Sequence, residues 1–310
     1  MYMYLPIALT SVNYLVVMGL GLAVGLLSGL FGVGGGFLMT PLLMMVGIPP
    51  TIAAATDANQ IVAASASGTI SHWRLGNVDF KMGLYLLIGG FAGGAGGVQV
   101  IKLLRATGGA DFLIKMTYVV MLGGVGSFMF VESLNAMHKT KKAKASAAPP
   151  KAAPKVKNGG FFAALPMQTY FEKSGVTHSA LVPLVLGTFV GVLAAIMGVG
   201  GGFLMVPVMI YMLRMPMHVV VGTSLFQILF TCIEVTYLQA YSNHTVDFIL
   251  AIILLVGSVF GAQIGTALGK KLHGDQLKIL LSIIVLAVTV KIVLELVMEP
   301  SILLSYAGGH

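Results

Sequence analysis

Two polar runs interrupt apolar sequence, Thr56-Asp57-Ala58-Asn59-Gln60 and Thr223-Ser224-Leu225-Phe226-Gln227. In each, Thr and Gln stand four residues apart, so a helix puts hydroxyl and amide on one face. These groups suit a desolvated oxyanion, because they donate hydrogen bonds without burying a cation. The plainer reading is hydrogen bonding between helices, worth roughly 0.6 kcal/mol on average in membrane bundles. A glycine run precedes each polar run: Gly34-Gly35-Gly36 and Gly200-Gly201-Gly202. A helix starting at such a run points unpaired N–H groups back toward it, an arrangement that receives anions. The candidate substrate-binding residues are therefore Gly34, Gly35, Gly36, Thr56, Gln60, Gly200, Gly201, Gly202, Thr223, Ser224 and Gln227. The two polar faces are expected to line one cavity.

Two acids fall inside apolar segments, Asp57 and Glu234. A carboxylate at the centre of a membrane helix costs at least about 2.5 kcal/mol and marks an ion or proton pathway. Asp57, within the polar run, is the first candidate for proton coupling. Glu234 is the second, with a bond to Thr231 or another helix as its structural alternative. An ionised Asp beside an anion site repels the substrate, which would link protonation to binding. No cofactor, metal or enzymatic chemistry is expected. The glycine run lacks the βαβ setting of a dinucleotide fingerprint, Ser67 and His72 point in different directions on one helix, and the histidines lack metal-ligand spacing.

The elements that must position these residues come in duplicate. Gly32-Val-Gly-Gly-Gly-Phe-Leu-Met39 and Gly198-Val-Gly-Gly-Gly-Phe-Leu-Met205 are identical, and Pro41 and Pro207 follow at the same offset. Gly25 matches Gly191, Thr56 and Gln60 match Thr223 and Gln227, and Val78-Asp79-Phe80 matches Val246-Asp247-Phe248. Hydropathy gives five segments per half: 14–31, 37–48, 51–73, 82–104 and 112–131, then 181–197, 203–213, 217–241, 248–268 and 277–297. The second in each half is shorter than the roughly 20 residues a straight span needs. Broken segments at matching positions of two halves point to a transporter's binding site; close packing of helices is the alternative. The expected fold is an all-α integral membrane protein of two inverted-topology repeats. Each has about 4–5 transmembrane segments and a short broken or re-entrant helix after its glycine motif. The first repeat is 1–137, a basic Lys/Ala/Pro-rich cytoplasmic linker 138–177, and the second repeat 178–310.

Composition supports this class: 57% of residues are hydrophobic, 9% are charged and mean hydropathy is +0.95, against about 25% charged in soluble domains. Segment 14–31 reads as a retained first span and not a cleaved signal. The net charge of +8 is local, since Lys139, Lys141, Lys142, Lys144, Lys151, Lys155 and Lys157 all lie in the linker. It suits a cytoplasmic loop beside anionic lipid headgroups, and nothing accompanies it that would bind nucleic acid. With the linker inside, Arg74 and Lys81 are inside and the loop Ser242-Asn-His-Thr245, which has no Lys or Arg, is outside. Both termini would then be outside. Lys102, Arg105 and Lys115 dissent.

The doubled Gly-Val-Gly-Gly-Gly-Phe, the prolines Pro41 and Pro207, Thr223-Ser224-Leu225, and the Gly93 and Gly261 segments resemble the TauE/SafE family of sulfite and organosulfonate exporters. The resemblance implies a multi-pass inner-membrane carrier that moves small sulfur-containing anions, usually outward, with Gly34 to Gly36, Thr56, Gly200 to Gly202, Thr223 and Ser224 at its site. Asp57, where the second half has Ser224, departs from symmetry. An anion channel of the same fold, or a membrane scaffold acting through the basic linker, is the alternative.

Overall fold

Backbone N–H and C=O groups find no partner in hydrocarbon, so long apolar runs close their hydrogen bonds as helices. The computed structural model of the chain describes residues 2–31, 36–143, 168–269 and 274–298, and among them lie ten α-helices. The first half supplies α1 (Tyr14–Phe31), α2 (Gly36–Met45), α3 (Pro50–Arg74), α4 (Phe80–Ala106) and α5 (Ala110–Ala143). The second supplies α6 (Leu181–Met197), α7 (Gly202–Pro207), α8 (Met217–Leu238), α9 (Phe248–Gly269) and α10 (Gly274–Val297). π-helical turns continue α7 over Val208–Met212 and α8 over Gln239–Asn243. Among the described residues, Phe80–Ala106, Ala110–Phe128, Met217–Asn243 and Phe248–Gly265 are long and apolar enough to cross a membrane. This is an all-α membrane protein.

Two features depart from the hydropathy reading. Each half opens with a β-hairpin, β1 (Tyr2–Leu5) against β2 (Thr10–Asn13) and β3 (Gln168–Phe171) against β4 (Val176–Ser179). Gln168 stands to Tyr2 as Gly191 stands to Gly25, so the hairpin belongs to the duplicated unit. Four-residue strands are too short for periodicity to reveal. Each hairpin is instead held by burial, through Leu5 and Phe171, both 0% exposed. Helix α5 also runs on past 131 to Ala143, so residues 138–143 of the expected linker close a helix and 168–177 belong to a hairpin.

Helix pairing is unchanged when the halves are exchanged. α1 lies along α9 as α6 lies along α4, each pair joined by glycines from both partners. A Cβ on Gly25 would stand 2.3 Å from Ser258 O, and one on Gly261 2.1 Å from Leu22 O. In the second seam, a Cβ on Gly93 would stand 2.0 Å from Thr188 O, and one on Gly191 2.3 Å from Gly90 O. Such contacts let helix backbones touch. Between them α3 crosses α8. Gly68 meets Leu225 while Gly222 meets His72 and Asn77, so the two helices run in opposite directions. α5 and α10 pair likewise, Gly126 against Val285 and Gly123 against Thr289.

Candidate functional site

The short helices that follow the two glycine runs meet. Gly36 opens α2 and Gly202 opens α7, and the Phe that follows each is buried against the other. Phe37 and Phe203 stack with ring centroids 4.5 Å apart and planes 16° from parallel. Backbone geometry explains the glycines of the second motif. Gly198 has φ +72° and lies so close to α3 that a Cβ would stand 1.9 Å from Ala54 O. Gly200, at φ +67°, is pressed against Cys232 and Ile228. A side chain at either would be strained by its dihedral and excluded by its neighbours. Gly34 and Gly35 lie outside the described residues.

Beside Gly36 sits Asp57, 0% exposed. Its Oδ2 accepts a 2.9 Å hydrogen bond from the Thr40 hydroxyl on α2, and its Oδ1 has no partner among the described residues. The Thr40 hydroxyl also lies 3.4 Å from the carbonyl of Met197, the last residue of α6, and the Tyr118 hydroxyl on α5 donates to that carbonyl at 2.5 Å. Thr40 and Tyr118 are both 0% exposed. The cluster therefore ties the first break (α2, α3) to the residue that leads into the second. Among the described residues the one ion pair is Lys291–Glu295, so no basic side chain compensates this carboxyl. Proton uptake would neutralise it without requiring a neighbouring basic group.

The remaining predicted residues divide between two places. The structure does not bring the two polar runs together. Thr56 lies sixteen residues of α3, about 24 Å, from His72, the residue that Gly222 meets. Thr56 and Thr223 are both fully buried, and each hydroxyl accepts a backbone N–H from the opposite half: Asp247 to Thr56 at 3.1 Å and Asp79 to Thr223 at 3.0 Å. Ser224 donates back to Val221 O, 3.1 Å away. Nearer the middle, Gln60 and Gln227 are buried, each with an Oε1 that has no partner among the described residues. Gln227 Nε2 donates to Thr231 at 2.9 Å. Gln227, Thr231 and Glu234, whose Oε2 is also unpartnered among the described residues, face the glycines of α4. A Cβ on Gly90 would meet Thr231 and Gln227, and one on Gly94 would stand 2.8 Å from Glu234 Oε2. Gly201 caps α7 in the left-handed conformation, and an apolar recess lined by Leu193, Met197, Val199, Gly201, Phe203 and Leu204 opens beside it.

Sequence reasoning missed Thr40 and Tyr118. Thr40 left one trace, as the only polar side chain of α2, at the position where the second half has Val206. Tyr118 left none, because nothing local marks a tyrosine on a long apolar helix.

The family model described as "Sulfite exporter TauE/SafE" matches residues 17–292. The chain belongs to the TauE/SafE family. The match starts within α1 and ends within α10, so it spans both breaks and both crossing pairs. The chain is similar to other membrane proteins across nearly its whole length. It is 27% identical over 295 residues to "Probable membrane transporter protein YunE" of Bacillus subtilis, covering 91% of this chain and 98% of that one. It is 28% identical over 275 residues to YjnA of the same organism, named in the same words, covering 88% and 97%. "Sulfite exporter TauE/SafE family protein 3" of Arabidopsis thaliana is 32% identical over 113 residues, 34% of this chain and 24% of that one. No solved structure matches the chain. TauE/SafE membership makes this a multi-pass membrane transporter.

Proposed function

We propose that the chain is a secondary carrier of the cell inner membrane that exports small sulfur-containing anions, sulfite or an organosulfonate. The observation that carries this reading is the meeting of the two motif copies, through Phe37 and Phe203, directly beside an uncompensated buried carboxyl. Broken helices facing each other between two related halves are where carriers hold substrate. The antiparallel crossings of α3 with α8 and of α5 with α10 fit halves inserted in opposite orientations, one of the arrangements from which alternating-access carriers are built. The anion would lie against the N–H groups at Gly34 to Gly36 and Gly200 to Gly202, with the amides of Gln60 and Gln227 at its flanks. Thr56, Thr223 and Ser224 would act from further out, by holding those helices in place. The linker lysines would rest near anionic headgroups, at about 1 kcal/mol each.

Asp57 would carry the coupling proton. Ionised, it repels an arriving anion; protonated, it can donate to Thr40 and leave the break electrically neutral. Glu234, facing the α4 glycines, would be the second proton site. Expelling an anion from a cell that is negative inside is favourable by about 2.3 kcal/mol per charge per 100 mV. A proton leaving with a monovalent anion cancels that term, whereas a proton entering in exchange adds to it.

The test is uptake of radiolabelled sulfite and sulfoacetate into proteoliposomes, with and without an imposed pH gradient. Saturable flux that responds to the gradient in wild type, and ignores it in Asp57→Asn, is the expected result. An Asp57→Asn protein with unchanged pH dependence would remove Asp57 from the mechanism. Absence of flux for both anions would remove the substrate assignment.

A further inference from the structure

The four residues that join the halves at their ends form two matching latches. At one end, Asp79 caps α4 by accepting from Met82 N–H at 3.0 Å through Oδ1. Its Oδ2 accepts from the Ser174 N–H at 3.1 Å and the Ser174 hydroxyl at 2.5 Å, in the turn between β3 and β4, and its own N–H donates to Thr223. At the other end, Asp247 accepts from Leu250 N–H at 3.2 Å and, through Oδ2, from Ile7 N–H at 3.3 Å in the turn between β1 and β2, while its N–H donates to Thr56. Each latch thus fastens three parts: a hairpin, the start of a helix from the opposite half, and the crossing helix that carries the polar run. Asp79, Asp247, Thr56 and Thr223 are all 2% exposed or less. Because α3 and α8 are antiparallel, the latches sit at opposite ends of the crossing.

We infer that these latches are the two gates of the carrier, one for each side of the membrane, and that Asp79 and Asp247 are positioning residues that set which side opens. The inference rests on the alternating-access reading above but not on the identity of the anion. A carboxylate that holds a helix cap and a foreign hairpin, next to a backbone N–H that holds a foreign helix, keeps its end shut, since hydrogen bonds to a charged acceptor are the strong ones. Both latches are made in this structure, and Gly36, Phe37, Gly202 and Phe203, where the two short helices begin, are buried. Opening one end requires its carboxylate to release the hairpin while the other holds. With the linker cytoplasmic, the Asp79 latch is the inner gate and the Asp247 latch the outer one.

The chain carries its own reporter. Cys232 is the single cysteine, 1% exposed, with its sulfur packed against Gly200 at the second break. The experiment measures labelling of Cys232 by a membrane-impermeant thiol reagent in inside-out and right-side-out vesicles. Asparagine still caps a helix, so Asp79→Asn and Asp247→Asn keep the helix starts and weaken the charged contacts. Asp79→Asn should raise labelling about tenfold from the cytoplasmic face only, the scale of weakening a hydrogen bond to a charged group, and Asp247→Asn from the outer face only. Thr223→Val and Thr56→Val, which remove only the hydroxyl, should reproduce the same sides. Equal acceleration from both faces would mean general loosening, and no acceleration would mean that the latches do not gate; either overturns the proposal. Labelling needs no substrate, so a failed sulfite assignment leaves this result to stand or fall separately.

Discussion

Thr40 donates a hydrogen bond to Asp57, and the two side chains come from different helices, 17 residues apart. Replacing Thr40 by Val keeps the shape and removes the donor. A hydrogen bond to a charged group is worth about 1.5–3 kcal/mol, so Thr40→Val should lower sulfite flux at least about tenfold and alter its dependence on pH. Thr40→Ser should restore both. Flux measured across a pH series in proteoliposomes checks this, and failure of Ser to rescue would show that packing, not donation, is what Thr40 supplies. Asp57 itself was legible because a carboxyl in an apolar segment is conspicuous in any sequence. Its partners were not, because a threonine and a tyrosine are common on membrane helices and only the fold brings them to one carbonyl.

At the scale of elements, the glycines sort into those that touch another helix and those that do not. Gly89 and Gly93 lie against the α6 backbone, where a Cβ would stand 2.0 Å from a carbonyl oxygen at each position, while a Cβ on Gly19 meets nothing within 4 Å. Gly93→Val should therefore force α4 and α6 apart, at a cost of about 1–3 kcal/mol or more. Gly19→Ala should cost nothing and gains up to about 1 kcal/mol of helix propensity. Thermal midpoints of the purified protein in detergent check the pair; equal midpoints would mean that the seam yields. The short helices after each motif were visible in the sequence. Which helix each glycine meets was not, because α1 pairs with α9 and α4 with α6, partners at least 75 residues away. The hairpins were invisible for a different reason: their stability comes from Asp79, Asp247 and buried Leu5 and Phe171, not from any local pattern.

Across the whole molecule, the duplication has kept the frame and given up the symmetry of the site. Seams and latches occur twice, but Thr40 and Asp57 in the first half correspond to Val206 and Ser224 in the second. The buried carboxyl beside α2 thus comes from the first half alone. The connection between the halves has no counterpart in this scheme. The paired helices draw their contacts from either side of residues 144–167, a stretch that holds Lys144, Lys151, Lys155 and Lys157 and no acid. Replacing 144–167 by a Gly/Ser sequence of equal length preserves the reach between the halves and removes four positive charges. A carrier whose site lies between the two breaks should keep its sulfite flux per molecule after reconstitution. Loss of flux in protein that is still folded and inserted would place the linker inside the transport cycle. A protein that transports normally yet fails to support its cellular role would instead show that the lysines recruit something to the membrane surface.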